Sequence, residues 1–381
     1  MKSKIIRTAT VAMSLDILLK GQLAYLNKKF EVIAVSGQDE HLDTVANREG
    51  VKTVAVSMSR SISPLKDIVS LLKLYLLFRR EKPYIVHSIT PKAGLLSMTA
   101  AYFARVPVRI HTFTGLIFPS KTGMLQRILI TMDKLLCFFA TSIYPEGNGV
   151  KNDLIQYNIT KKPLHIIANG NVNGIDVDYF HPNSISEIQK ATLKKSLNFS
   201  ETDVVFVFVG RLVRDKGINE LIEAFEMLSQ NNNSVKLLLV GPFESDLDPL
   251  KEVTLQAIQS NTAIVSVGFQ NDIRPFLAIS NCLVFPSYRE GFPNVVLQAG
   301  AMELPSIVSD INGCNEIIQE GKNGIIIPVK DSVAIFKAMQ LVHKDTVFYN
   351  ALKSNSRPQI IALYEQKIVW EALLNEYQRA L

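Results

Sequence analysis

Ser287-Tyr288-Arg289-Glu290-Gly291-Phe292-Pro293-Asn294-Val295-Val296-Leu297-Gln298-Ala299-Gly300-Ala301 is the stretch on which the reading of this chain turns. It follows the short apolar run Cys282-Leu283-Val284-Phe285, which reads as a buried strand closed by Pro286. After the turn at Gly291, Pro293 suits the first position of a helix, where a missing N–H is harmless, and apolar residues then recur at helical spacing. The pattern puts Glu290 in a strand-to-helix loop, at the C-terminal edge of a sheet and beside a helix N-terminus. In an open parallel sheet that edge is where ligands bind, and a helix N-terminus favours an anion such as a diphosphate. A carboxylate in that place does not serve the phosphate, since like charges repel; it suits sugar hydroxyls beside the phosphate. The plain alternative is a surface acid in a loop.

Outward from this stretch the same alternation repeats. In the second half, strand patterns fall at 203–209, 235–240, 263–267, 281–285, 306–308 and 324–327, each separated from the next by a helix or a helix-length segment. After the first of them, Gly210-Arg211-Leu212-Val213-Arg214-Asp215-Lys216-Gly217 precedes a helix over about 218–228. The first half reads likewise: a strand at 4–11, a helix at 17–26, strands at 30–36 and 51–56, and a long amphipathic helix at 62–80 ended before Pro83. A strand at 84–87, a helix near 94–103 and a strand at 108–113 follow. Strands alternating with helices imply parallel α/β sheets. The turn formers Asn169-Gly170-Asn171-Val172-Asn173-Gly174-Ile175-Asp176 mark the link between halves, and 360–381 carries an amphipathic helix pattern containing Trp370. At 381 residues the chain suits two domains rather than one core, 1–175 and 176–359.

Composition narrows the classes. Forty-seven percent apolar residues allow sheets covered on both faces. The three cysteines, Cys137, Cys282 and Cys314, are odd in number and far apart, with no metal-ligand spacing, and imply a reducing cytoplasm. Arg7 and Asp16 interrupt residues 1–19, which read as a strand and not as a signal peptide. The apolar stretches 62–78 and 125–144 are broken by Lys66, Asp67 and Lys73, and by Arg127, Asp133 and Lys134, so neither reads as a membrane span. Residues 1–175 carry 23 Lys+Arg against 11 Asp+Glu, a net of +12, while the remainder carries 18 against 24, a net of −6. A basic half points to nucleic acid, an anionic membrane surface or a diphosphate-bearing substrate. With no helix-turn-helix, zinc finger or RNA-binding aromatic motif, nucleic acid is the weakest of these.

Arg211 and Lys216 flank a loop after a buried strand, with Gly210 and Gly217 at its ends to let the backbone turn. One forked and one point cation suit a diphosphate leaving group. A single charged turn of this kind is more often merely solvated, and the Glu290 segment further along the same domain is what favours the ligand reading. His111, at the end of an apolar strand, is by itself better explained as a satisfied core residue. Asp176-Val177-Asp178 and Asp246-Leu247-Asp248 spell a triplet that can hold a divalent metal between phosphates; the second lies in a loop with Pro249 and no strand leads into it, and both read as structural, the first through its likeness to an interdomain turn of the family named below. Pro91-Lys92-Ala93-Gly94 is either an acceptor-side loop or a plain helix cap.

The G-R-L-x-x-x-K-G pattern at 210–217 and the Glu290 loop resemble glycosyltransferase family 4, a large retaining family, over nearly the whole chain. The resemblance implies an α/β fold of the GT-B type: two doubly wound Rossmann-like domains facing each other across a cleft, with the terminal helix 360–381 packing back on the first. It implies transfer of a sugar from a nucleotide diphosphate sugar to a hydroxyl of a lipid-linked glycan in surface polysaccharide synthesis. The expected donor is a UDP-sugar, an N-acetylated amino sugar being one candidate. The donor diphosphate would be held by Arg211 and Lys216 with Phe292, Pro293, Asn294 and Val295, without metal or cofactor. Glu290 and His111 would face the transferred sugar as catalytic residues.

Two departures stand out. The family's second Glu, eight positions after the first, is here Gln298, which would meet the ribose. Its N-terminal Gly-Gly pair is replaced by Met13-Ser14-Leu15-Asp16, leaving Ser14 as a candidate phosphate contact and Lys92 as an acceptor contact. The implied partners are the nucleotide sugar, a polyprenyl-diphosphate-linked glycan and an anionic membrane surface met by the basic N-terminal half, with no nucleic acid. The implied location is cytoplasmic, peripheral at the inner face of the plasma membrane. Two other classes remain: a sugar-nucleotide epimerase on a similar fold, which would need acid/base carboxylates and several His in its site, and a non-catalytic sugar-nucleotide-binding protein.

Overall fold

Aliphatic and β-branched runs become strands where helices cover both faces of a sheet, and each half of the chain is built so. The computed structural model describes residues 2–59, 63–230, 232–244 and 248–381. It divides into two units, Met1–Gly174 with Gln366–Leu381, and Ile175–Glu365.

In the first unit, β1 (Lys4–Thr8), β2 (Glu31–Ser36), β3 (Lys52–Ala55), β4 (Ile85–Ser88), β5 (Val108–Phe113) and β6 (Ser142–Pro145) form a six-stranded sheet in the order β3-β2-β1-β4-β5-β6. The pairings are parallel, with Ile6 beside both Ile33 and Val86. Alternate residues point to opposite faces. Ile5, Val32 and Ile85 meet Leu373 and Tyr377 of the helix Gln366–Arg379. Ile6, Val35 and Val86 share a core with Leu74, Leu96 and Leu136 of the helices Pro64–Glu81, Pro91–Phe103 and Gly123–Phe139.

The second unit repeats the design with β7 (Val204–Val209), β8 (Val235–Val240), β9 (Ile264–Ser266), β10 (Cys282–Phe285), β11 (Ser306–Ser309) and β12 (Gly324–Ile327), in the order β12-β11-β10-β7-β8-β9. Its strands are almost wholly apolar, and Phe208 stacks on Phe285 at 5.9 Å between ring centroids. In both sheets the order reverses once, between β1 and β4 and between β7 and β10. Such switch points open a crevice at the C-terminal edge of a parallel sheet.

Several expectations are corrected. The strand β6 falls in a stretch read only as apolar. The helix expected over 17–26 is two, Ala12–Leu18 and Gln22–Asn27, separated by a turn in which Gly21 takes φ 80°. The terminal pattern is likewise broken at Glu365, between Thr346–Tyr364 and Gln366–Arg379, so the segment assigned to the first unit begins at Gln366 rather than at 360. Residue 62, where the long amphipathic helix was expected to start, lies outside the described residues; the helix observed is Pro64–Glu81.

Candidate functional site

The two loops that flank the second sheet's switch point carry the charged residues singled out in the sequence. After β7 the chain turns through Arg214–Lys216 and reaches Gly217 at φ 72°, which opens the helix Ile218–Ser229. A Cβ at Gly217 would lie 2.1 Å from the carbonyl oxygen of Pro286, so only glycine lets this loop approach the one after β10. The loops are then stitched together. The Tyr288 peptide N–H donates to the Asp215 carbonyl at 2.9 Å, and the Asp215 N–H donates to the Asp248 carboxylate at 2.6 Å.

This stitching brings Lys216 and Glu290 into contact. The Lys216 ammonium donates to Glu290 Oε1, and the Ser287 hydroxyl donates to the same oxygen at 2.9 Å. Their side chains are 16% and 17% exposed, so the pair is neither sealed nor freely solvated. Arg211 reaches outward, 46% exposed, and binds Glu244 at 2.7 Å. An arriving diphosphate can compete for both cations, and a carboxylate released from Lys216 has lone pairs for hydroxyl groups.

Beside Glu290 the chain enters the helix Asn294–Ala301. Pro293 is its N-cap, at φ −74° and ψ 110°, and not the first helical residue as expected; an extended ψ is what a cap position needs. Phe292 and Pro293 are buried, while Asn294, Val295 and Gln298 are half-buried. The first N–H groups of a helix lack intrahelical partners and favour an anion. Gln298 is the fifth residue of the helix and makes no side-chain hydrogen bond among the described residues. Gly313, after β11, packs against this turn: at φ 74°, its Cβ would stand 2.5 Å from the Gly291 carbonyl oxygen. Gly313, Ser287 and Glu244 were not singled out in the sequence, because only the folded loops bring them together.

In the first unit the corresponding switch point is hydroxyl-rich. Thr10 Oγ1 and Thr90 Oγ1 lie 2.8 Å apart, and Thr90 also accepts from the Thr10 N–H at 2.9 Å. Ser14 sits half-buried in the helix Ala12–Leu18 that follows β1. Lys92 is in the first turn of the helix Pro91–Phe103, nearly buried, and pairs with Asp67 at 2.5 Å. It lines a pocket of about 80 Å³ with Phe113, Ile117, Leu129 and Asp133, whose carboxyl is pushed up to about 7 by burial.

His111 is placed differently from the expectation. It lies in β5, two residues before the strand ends, but is 1% exposed and does not open onto the sheet edge. Its Nδ1 meets the Ser88 hydroxyl at 2.8 Å, and its ring packs so closely on Gly94 that a Cβ there would fall 2.5 Å from His111 Cε1. Burial pushes its pKa down to about 3, so the ring is neutral. In this structure it is a core histidine, and Thr114 is the side chain that follows the strand.

Asp176 accepts from the N–H groups of Asp178 and Tyr179, at 3.2 and 2.9 Å, which makes the first Asp-x-Asp triplet a turn cap. In the second triplet Asp246 and Leu247 lie outside the described residues, and Asp248 binds Arg214 at 3.0 Å. Among the described residues no group of three His, Cys, Asp or Glu side chains is arranged to hold a metal.

Known protein families match each half of the chain. The family model described as glycosyl transferases group 1 matches residues 189–359, and the one described as glycosyltransferase family 4 matches 19–172. The chain is 32% identical over 380 residues to the capsular polysaccharide biosynthesis glycosyltransferase CapM of Staphylococcus aureus, covering 99% of this chain and 97% of that one. It is 30% identical to the Escherichia coli UDP-Gal:alpha-D-GlcNAc-diphosphoundecaprenol alpha-1,3-galactosyltransferase, covering 80% and 78%. The crystal structure of Anabaena Alr3699/HepE in complex with UDP superposes with a TM-score of 0.82 at 18% identity, covering both chains completely, which shows the fold.

Proposed function

Since the chain belongs to glycosyltransferase family 4, we propose that it carries a sugar, with retention of configuration, from a UDP-sugar to a hydroxyl of a polyprenyl-diphosphate-linked glycan. It is a glycosyltransferase of bacterial surface polysaccharide synthesis. The observation that carries the finer reading is the meeting of Lys216 and Glu290 at the switch point of the second sheet, beside the N-terminus of the helix Asn294–Ala301.

In this reading Arg211, Lys216 and the helix N-terminus receive the donor diphosphate. As the bond from the anomeric carbon to the diphosphate oxygen breaks, negative charge grows on the leaving group, and fixed donors aimed at it lower the barrier. The acceptor oxygen bonds to the anomeric carbon, and its proton goes to the departing diphosphate. Glu290, freed from Lys216, accepts hydrogen bonds from hydroxyls of the transferred sugar. Gln298 meets the ribose. The two cations neutralise the diphosphate, so the reaction runs without a divalent metal. An N-acetylated amino sugar is a candidate donor.

His111 is buried and enters this scheme as a support of β5 rather than as a sugar contact. The basic first unit, with a net of +12 over residues 1–175, suits a chain working on a lipid-linked acceptor at an anionic membrane surface. No helix among the described residues is long and apolar enough to cross a membrane.

The test is a panel of UDP-hexoses and UDP-N-acetylhexosamines offered with an N-acetylglucosaminyl-diphospho-polyprenol. The expected result is UDP release that requires the acceptor, with one sugar added to the lipid. UDP-sugar converted to its epimer without acceptor, or binding with no turnover of any donor, contradicts the reading.

A further inference from the structure

The helix Pro64–Glu81 is apolar on two opposite faces, and the first unit uses only one of them. At about 100° per residue, Ser70, Leu74, Leu77 and Phe78 share the side that is buried in the domain. On the other side Leu65, Ile68, Val69, Leu72 and Leu76 fall within an arc of about 100° and are 51% to 81% exposed. Apolar residues scattered singly over a surface are ordinary; five aligned along one helix face are not.

The charges of this helix are sorted in the same sense. Its two carboxylates are already engaged: Asp67 with Lys92 at 2.5 Å, and Glu81 with Lys4 and Lys52 at 2.9 Å each. Lys66, Lys73 and Arg79 form no ion pair among the described residues. On the helical wheel Lys66 and Lys73 lie along one edge of the exposed stripe and Arg79 at its C-terminal end, while Arg80, on the same edge as the lysines, pairs with Glu81 at 3.2 Å. The outward side therefore offers an apolar stripe edged by uncompensated cations.

We propose that this face of the helix Pro64–Glu81 is a docking surface for an anionic phospholipid bilayer, lying in the interface plane with its leucines among the upper acyl chains. The inference deepens the membrane-associated reading above and rests on it. Charge complementarity selects the occupant. A helix with an apolar stripe and basic flanks binds in the interface by buried apolar area together with attraction to anionic headgroups. A second copy of the chain would bring the same cations face to face, where like charges repel. With six charged residues in eighteen, the helix cannot span the bilayer.

The full chain is tested by sedimentation with vesicles of phosphatidylglycerol and phosphatidylethanolamine, and with phosphatidylcholine vesicles as the neutral control. We expect Leu72→Glu/Leu76→Glu to weaken binding to anionic vesicles at least tenfold. Replacing Lys66, Lys73 and Arg79 by Gln should weaken it by about fivefold per charge and flatten its salt dependence. Hydrogen exchange on the wild type should show protection over residues 65–80 when anionic vesicles are added, which does not depend on any variant folding. Donor turnover with a short-chain, water-soluble acceptor should be unchanged in both variants. Unaltered vesicle binding by the glutamate variant, equal binding of the wild type to phosphatidylcholine, or loss of self-association in lipid-free solution in place of vesicle binding overturns the inference. Vesicle binding that holds while every donor fails would instead count against the transfer reading and leave this surface standing.

Discussion

The Lys216 ammonium and the Glu290 carboxylate hold each other across the second sheet's switch point, one on the loop after β7 and the other on the loop after β10. Each satisfies the other's charge in a half-buried place where neither would sit well alone. A donor that brings its own diphosphate and its own hydroxyls offers both groups a new partner at once, so binding rearranges this pair.

Two substitutions separate the roles. Lys216→Ala should lower kcat on the order of 10²-fold or more, because one oriented charge-stabilising group is lost from the leaving diphosphate. Glu290→Gln should also reduce turnover severely, while retaining UDP binding, since its proposed partner is the sugar and not the nucleotide. Steady-state kinetics alongside calorimetric UDP binding checks both; a Glu290→Gln variant with near-normal kcat would remove that residue from the sugar site.

Gln298 offers a milder test. Its amide keeps one acceptor oxygen but lacks the charge of a carboxylate, and charged acceptors make hydrogen bonds about twice as strong. Gln298→Glu should tighten UDP binding by about 1 kcal/mol with kcat maintained. If Gln298→Glu abolishes transfer while Glu290→Gln is mild, the two ends of this motif have been assigned the wrong way round.

These predictions lean on residues that the sequence revealed unevenly. The loops at 210–217 and 287–294 were legible because glycine, cation and proline stand at fixed offsets after purely apolar strands, so local turn chemistry marks them. Lys216 touching Glu290 was not legible, since 74 residues separate them and only the closeness of Gly217 to Pro286 makes the contact. The strand β6 escaped because Ser142-Ile143-Tyr144 follows the apolar end of a helix without a glycine or proline to divide them. His111 looked like an edge residue because it stands near the C-terminal end of its strand; β5 pairs with the unseen strand β6 on its far side, His111 beside Ile143, and that cover buries the ring.

Metal removal gives a direct check on the cationic diphosphate site. Turnover measured with and without EDTA should differ little. Abolition by EDTA with recovery on adding Mn²⁺ would mean that the diphosphate is neutralised by an ion and not by Arg211 and Lys216.

Buried histidines set the expected acid response of stability. Burial pushes His111 from 6.5 down to about 3, and holds His87 well below 6.5, with the Arg7 charge adding to the effect. An unfolded chain takes these protons near pH 6.5 and the folded one does not. Their contribution is therefore complete above that pH and falls on acidification towards 3, by up to about 1.4 kcal/mol per pH unit for each ring. Asp133, raised by burial from 3.8 to about 7, pulls the other way, its contribution falling as pH rises through that window. Urea midpoints of Asp133→Asn should hence drop more steeply between pH 6.5 and 4 than those of the wild type. A flat profile for Asp133→Asn in that range contradicts neutral, buried imidazoles.

Whether the proposed transfer from a UDP-sugar retains configuration is decided by the anomeric configuration of the new bond. The product made from an α-linked UDP-sugar and the lipid-linked acceptor is isolated, and the coupling of its new anomeric proton is read by NMR. An α-linkage is expected, formed in the presence of chelator and lost with Lys216→Ala. A β-linkage from the same donor would contradict it.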